Sequence, residues 1–233
     1  MSTSELSRFD GKLINGLQFC ARVYKLFESI RKTDDGRSRL RMRSSPLEKK
    51  LIEELLPICN YVQANYRPGR YISVRWINGN QQYDAEVVQS GDFVNPNYYP
   101  AVSYFEVTCV MHPKEYLARE LLNTKGQAFG LEGIRRLKSG EIESLPISYC
   151  GDEHIHIFSE LVLKQISKKA KINYPPDTTL IVDCTVNTVY ASYDWDILVS
   201  LVKDGLSAVS FREIYLYDST GQRSHSFWPS KGS

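Results

Sequence analysis

The chain has 233 residues, of which 42% are hydrophobic, 12% aromatic and 24% charged. This composition excludes a disordered or collagen-like chain and predicts an α/β domain of good size. No segment has the roughly 18 consecutive apolar residues of a membrane span, and the first residues lack the apolar run of a signal peptide. We therefore expect a soluble cytoplasmic protein. Five widely spaced cysteines without a CxxC pair predict reduced core residues: Cys20, Cys59, Cys109, Cys150 and Cys184.

Positive charge is concentrated near the N-terminus. The whole chain carries a net charge of only +2, but residues 31–50 contain eight basic and three acidic residues. Such a segment is typical either of a contact with nucleic-acid phosphates or of a solvated linker. If it is a contact, the arginines expected to bind nucleic acid are Arg37, Arg39, Arg41 and Arg43. A second basic run, at residues 164–171, is a further candidate for guiding a phosphate backbone.

Hydrophobic periodicity predicts helices first, then a group of strands. An amphipathic helix is predicted over residues 13–30, followed by a basic linker. A second helix begins at the capping-box sequence Ser45-Pro46-Leu47-Glu48 and runs to about residue 64. Strands are predicted at 71–76, 82–89 and 103–110, the first two flanking the turn dipeptide Asn78-Gly79.

In the second half of the chain, helical and strand patterns alternate. Helices are predicted at 113–124, 132–138, 153–172 and 194–203, and strands at 179–186 and 211–217. This mixture favours an α/β fold with one mixed β-sheet flanked by helices. We expect residues 1–45 to form an N-terminal helix and basic linker and residues 46–233 to form the α/β domain.

Two predicted neighbouring strands carry carboxylates, a residue type disfavoured in strands. Asp84 and Glu106 lie among apolar residues, where an unpaired carboxylate would be costly. Two carboxylates from adjacent strands suit Mg²⁺, which takes oxygen ligands. The alternative is that each one pairs with a basic residue such as Arg75. On the second helix Glu48 lies on the apolar face, which would point it inward, although its capping-box position alone explains its presence.

With these residues and this order of elements, the sequence resembles the PD-(D/E)XK nuclease superfamily. The resemblance covers roughly residues 45–186 and rests on Glu48 in a helix, Asp84 in Tyr-Asp-Ala and the run Glu106-Val107-Thr108. It implies a restriction-endonuclease-like core with an N-terminal helical extension, in which Asp84 and Glu106 bind Mg²⁺ or Mn²⁺. Glu48 would support the metal or its water. A nucleic acid such as DNA would be the substrate, and a homodimer or larger assembly is implied.

Thr108 stands where the superfamily usually has lysine. A hydroxyl group cannot supply the positive charge that stabilises a phosphate in the transition state. Lys114 lies on the apolar face of the helix predicted from residue 113 and is the candidate replacement, with Lys125 as a second choice. The alternative for Lys114 is a structural ion pair. The expected catalytic set is therefore Glu48, Asp84, Glu106 and Lys114.

Three functions remain open from the sequence, and enzyme activity is not decided among them. The first is a metal-dependent endonuclease, a hydrolase of phosphodiester bonds. The second is a catalytically inactive nuclease fold that binds nucleic acid or protein. The third is an interaction or inhibitor protein whose strand carboxylates are structural. His154-x-His156 lacks a third zinc ligand nearby, and the chain contains no GxxxxGK[ST], GxGxxG or GxSxG motif.

Overall fold

The computed structural model describes residues 5–95, 98–149, 152–184, 192–218, 220 and 222–229. It confirms a mixed α/β fold with a large mixed sheet flanked by helices. Cys150 and the last residues of the strand predicted at 179–186 lie outside the described residues. Of the remaining cysteines, Cys20, Cys59 and Cys184 are buried free thiols, whereas Cys109 is half-buried.

The described residues contain seven α-helices. They are α1 (Gly16–Arg31), α2 (Gly36–Met42), α3 (Pro46–Lys50), α4 (Leu56–Asn65), α5 (Glu115–Thr124), α6 (Glu153–Ala170) and α7 (Ser192–Gly205). A π-helical turn, Leu51–Leu55, joins α3 to α4. Within that turn the Leu56 N–H donates to the Leu51 carbonyl, five residues back instead of four. None of the helices in the described part of the chain is long and apolar enough to cross a membrane.

Seven strands form the main sheet and two form a small hairpin. They are β1 (Leu13–Asn15), β2 (Tyr71–Trp76), β3 (Ala85–Ser90), β4 (Val102–Cys109), β5 (Ile134–Arg136), β6 (Ile142–Ser144), β7 (Thr178–Asp183), β8 (Glu213–Asp218) and β9 (Arg223–Phe227). The sheet order is β1-β2-β3-β4-β7-β8-β9, and β5 pairs with β6. Strands β1 to β4 pair antiparallel, β4, β7 and β8 pair parallel, and β9 returns antiparallel to β8.

Two helix layers cover the two faces of this sheet. The face that carries Phe105 and Val107 packs against α1, α3 and α4 in one apolar cluster. The opposite face, which carries Leu180 and Val182, packs against α6 and α7 in a second cluster. Because side chains alternate along a strand, Glu106 lies on the α6 face, between two residues of the other cluster.

The structure differs from the sequence prediction in the short elements. The N-terminal helical pattern divides into β1 and α1, because Asn15 caps α1 by accepting from the Leu17 N–H. The basic stretch expected to be a linker contains α2, whose Leu40 is buried. The helix predicted at 132–138 is wrong: these residues form a 3₁₀ turn and strand β5. The predicted tight turn at Asn78-Gly79 is part of a longer connection between β2 and β3.

Candidate active site

The candidate site lies where β3 and β4 separate. Their antiparallel ladder ends at the pair Ala85 and Phe105, one residue after Asp84. The Asp84 N–H still donates to the Phe105 carbonyl at 2.8 Å, and its Oδ2 accepts from the Val107 N–H at 2.8 Å. The Asp84 carboxylate thus accepts the hydrogen bond that the Val107 N–H would otherwise donate to the backbone of a neighbouring strand. This bond fixes the Asp84 carboxylate beside Glu106.

Glu106 lies in the middle of β4 and is 7% exposed. Its Oε1 accepts a hydrogen bond from Nζ of Lys169, near the end of α6. Pairing with a cation of this kind reduces the free-energy cost of burying a charged carboxylate. The hydroxyl of Tyr174, three residues beyond the Lys171 cap of α6, is buried near the pair without a hydrogen bond of ordinary geometry. Burial, then the Glu106 charge, raises the pKa of Tyr174, so this hydroxyl stays protonated.

Glu54 approaches from the opposite helix layer. It lies in the π-helical turn, where its Oε2 accepts from Trp76 Nε1 at 3.0 Å and its Oε1 accepts from Lys50 Nζ at 2.5 Å. Trp76 is fully buried at the end of β2, so the indole holds this carboxylate in one place. The Glu54 charge raises the pKa of both Asp84 and Glu106.

The electrostatics of the site follow from burial. Desolvation is the largest cause that raises the pKa of Asp84, to about 7, and the charges of Glu106 and Glu54 add to it. The Val107 amide and the Lys169 charge act in the opposite direction. The pKa of Glu106 is also raised, because burial outweighs the hydrogen bond and charge of Lys169. Such shifted carboxyl groups cluster at functional sites more often than elsewhere.

Asp84 and Glu106, the two predicted metal ligands, are therefore electrostatic neighbours in the structure. Glu48 is fully buried elsewhere: its Oε2 accepts from the Ser45 N–H at 3.1 Å, and its Oε1 accepts from Arg39 Nε at 3.0 Å. The contact with Ser45 is that of the capping box, the alternative that the sequence left open for Glu48. The ion pair with Arg39 was not expected from the sequence.

Lys114 also lies apart from the carboxylates. It precedes the first residue of α5, and its Nζ donates to the Glu132 carbonyl at 2.7 Å. Lys169 is instead the lysine that contacts Glu106. The sequence analysis included Lys169 only in the second basic run, because nothing in local periodicity shows that α6 returns to β4.

The four arginines of the basic segment have different surroundings. Arg39 pairs with Glu48, and Arg43 pairs with Glu53 at 2.8 Å. Arg41 Nη1 donates to the Asn123 amide oxygen at 2.9 Å, and Arg37 is exposed. Among the described residues, only Arg37 and Arg41 of these four arginines therefore lack a carboxylate partner. Arg39 and Arg43 instead anchor α2 to the helix that follows it.

Asp84 and Glu106 are the residues of this site to consider as ligands of a metal ion. In the described residues, no three His, Cys, Asp or Glu side chains are grouped closely enough to hold one. Two carboxylates are nevertheless a sufficient protein ligand set for Mg²⁺, which keeps several waters and takes oxygen atoms from a bound phosphate. Asp84 and Glu106 are the residues that fit, since burial and neighbouring negative charge raise the pKa of both carboxyl groups, and a divalent cation would offset both effects.

Comparison of the chain with protein-family models, with curated proteins and with solved structures found no match.

Proposed function

We propose that the chain is a metal-dependent nuclease that hydrolyses phosphodiester bonds. The observation that carries the proposal is the meeting of Asp84, Glu106 and Lys169 where β3 separates from β4. Supporting it, the helix containing Glu54, then β2, β3, β4, α6 and β7, follow the order of the restriction-endonuclease-like core. In this assignment α5 and the β5–β6 hairpin are an insertion between β4 and α6.

Asp84 and Glu106 would hold the metal. The pair fits Mg²⁺ because both are hard oxygen donors, both are mostly withdrawn from water, and each disfavours the negative charge of the other. A bound Mg²⁺ would supply Lewis-acid stabilisation of the phosphate and a more acidic water. The Val107 N–H holds Asp84 in its orientation without adding a competing cation.

Lys169 would provide the positive charge that Thr108 cannot. The Thr108 side chain is buried on β4, two residues after Glu106, and carries no charge. Lys169 reaches Glu106 from α6, so its ammonium group lies beside the same carboxylate that a lysine on β4 would neighbour. In this position it would neutralise charge that develops on a bound phosphate.

Glu54 would act as an orienting base. Trp76 and Lys50 fix its two carboxylate oxygens, and each oxygen retains a lone pair for a further hydrogen bond. It would therefore accept a proton from, or align, a water that approaches the phosphate. Glu54 thus takes the role that the sequence analysis gave to Glu48.

The substrate backbone would run along α6. Lys164, Lys168 and Lys171 are exposed near the end of this helix, next to Lys169. Exposed lysines bind phosphates through charge and so favour any nucleic acid over a particular base sequence. The second basic run would therefore make the main phosphate contacts, with Arg37 and Arg41 as further candidates.

The test is cleavage of linear duplex DNA, single-stranded DNA and RNA by the full chain with Mg²⁺ or Mn²⁺. We expect cutting that EDTA stops and that Asp84→Asn abolishes. Lys169→Met should reduce the rate by about 10² to 10³, the usual effect of losing one charge-stabilising donor. Lys114→Met is the matched control and should leave the rate unchanged. Cutting that persists in purified Asp84→Asn would refute the proposal.

A second function is favoured by one observation, the closed ion pair between Glu106 and Lys169. If the lysine does not leave this carboxylate for a phosphate, the domain would bind nucleic acid without cutting it. Binding would then be independent of Mg²⁺ and weaken steeply with salt. The same assays distinguish the two functions, because only the nuclease requires a divalent cation.

A further inference from the structure

A separate cavity of about 850 Å³ opens at the carboxyl ends of β4, β7 and β8. Its lining includes Cys109 and Asp183, the last residues of β4 and β7, and Tyr217, the last but one of β8. Crevices at the carboxyl ends of strands are common ligand sites in α/β proteins, and this volume suits a small molecule. Its lining includes no residue of the site formed by Glu54, Asp84, Glu106 and Lys169.

The cavity carries an excess of positive charge. Four arginines line it, namely Arg41, Arg43, Arg119 and Arg223, against two carboxylates, Glu115 and Asp183. Arg119 pairs with Glu115, and Arg43 pairs with Glu53 outside the cavity. Arg41 differs, because its only hydrogen-bond partner among the described residues is the neutral Asn123 side chain. A guanidinium with an uncompensated charge at a cavity favours an anion, above all a phosphate.

Hydrogen-bond donors add to this preference. Asn60 Oδ1 accepts from the Tyr215 hydroxyl at 3.0 Å, and Gln63 Oε1 accepts from the Tyr24 hydroxyl at 2.9 Å. Within the described residues, neither amide NH₂ group has a hydrogen-bond partner. The two tyrosine hydroxyls thus occupy the amide oxygens, and the amide NH₂ groups remain as donors in the lining. Such a lining favours a ligand with many acceptor atoms.

The adjoining wall of the cavity is apolar and in part aromatic. Tyr24 is 36% exposed, and Phe27, Ile52 and Leu56 are half-buried around it. A free anion such as phosphate alone would leave this wall in contact with water. A ligand with a phosphate at one end and a flat ring at the other satisfies both walls.

We propose that this cavity binds a nucleoside 5′-phosphate. The phosphate lies against Arg41 and Arg119, the base acceptors face Asn60 and Gln63, and the base covers the Tyr24 and Phe27 wall. The site is independent of the carboxylate centre and holds whether or not the chain is a nuclease.

Isothermal titration calorimetry of the full chain in EDTA tests this, with AMP, GMP, CMP and UMP as probes. We expect at least one to bind with a Kd between about 1 μM and 1 mM. Adenosine and ribose 5-phosphate, each lacking one half of the ligand, should bind at least tenfold more weakly than the best nucleotide. Asp84→Asn should bind the nucleotide as the wild type does, which separates this cavity from the carboxylate site.

Arg41→Gln should weaken nucleotide binding at least tenfold, whereas Arg37→Gln should not change it. Both arginines are exposed on α2, but only Arg41 lines the cavity, so the second variant controls for general charge. Gln63→Glu, at an exposed position, should weaken binding by placing a negative charge beside the ligand. The proposal is overturned if no mononucleotide binds below about 1 mM, if Arg37→Gln and Arg41→Gln lose binding equally, or if only a long single-stranded oligonucleotide binds.

Discussion

Asp84→Asn should change how the stability of the protein depends on pH. The folded state raises the pKa of Asp84 from 3.8 to about 7, chiefly by burial. Between these two values the folded protein keeps a proton on Asp84 that the unfolded chain has lost. Since the folded state then binds more protons, the free energy of unfolding falls as pH rises from about 4 to about 7 and is level above that. Asparagine does not titrate, and its carbonyl oxygen can still accept from the Val107 N–H.

The magnitude follows from the shift. One pKa unit corresponds to about 1.4 kcal/mol, so the wild type should lose about 3 kcal/mol relative to Asp84→Asn between pH 4.5 and pH 8. Comparing the two proteins at each pH cancels the contributions of most other groups. The coupled group Glu106 changes the size of the effect but not its sign, because both carboxylates disfavour each other's ionisation.

Urea unfolding in EDTA, followed by circular dichroism at pH 4.5 and pH 8, measures this difference. The reasoning is refuted if the stability gap between the two proteins is the same at both pH values, or if the gap closes as pH rises. Adding Mg²⁺ at pH 8 should then stabilise the wild type and leave Asp84→Asn unchanged, because a ligand that binds only the folded state raises its stability.

Three further predictions concern stability. Glu48→Gln should lower the free energy of unfolding by about 2 kcal/mol, because the ion pair with Arg39 is lost, while any nuclease rate stays unchanged; an inactive but stable variant would contradict this. Tyr61→Phe should cost about 1 to 3 kcal/mol in urea unfolding, since the buried Glu213 carboxylate loses its 2.7 Å donor; an unchanged midpoint would contradict the bond. Gly16→Ala should lower the melting temperature, because its Cβ would lie 2.8 Å from the Ile72 carbonyl; equal melting would show that α1 shifts freely.

The main strands could be predicted from the sequence because alternation and β-branched residues determine them locally. Strand β2 has the predicted bounds, Tyr71–Trp76, and β4 differs by one residue at each end. Strand β1 could not be predicted in this way. It is a three-residue edge strand, Leu13–Asn15, whose apolar residues continue the period of the helix after it. Its pairing with β2 depends on tertiary contacts that no local pattern contains.

Only those residues of the candidate site that are rare in their type of secondary structure could be predicted from the sequence. Asp84 and Glu106 were found because carboxylates at strand positions need an explanation. Glu54 was missed because a helical wheel assumes a constant angle per residue, and the π-helical turn changes that angle ahead of it. Lys169 was missed because its contact with Glu106 joins residues 63 positions apart, which only the crossover of α6 brings together.

The π-helical turn also restricts how many residues the combined helix from α3 to α4 can contain. The bond from the Leu56 N–H to the Leu51 carbonyl accommodates one residue more than an α-helical turn would. Both ends of the combined helix are held, by the Ser45 capping box at its start and by the 2.8 Å bond from Arg70 to Asn65 at its end. Deleting one residue from this turn would therefore rotate one half of the helix against fixed ends and move Glu54 away from its indole partner. Homologues that keep this carboxylate should accept substitutions in the turn far more readily than single-residue insertions or deletions.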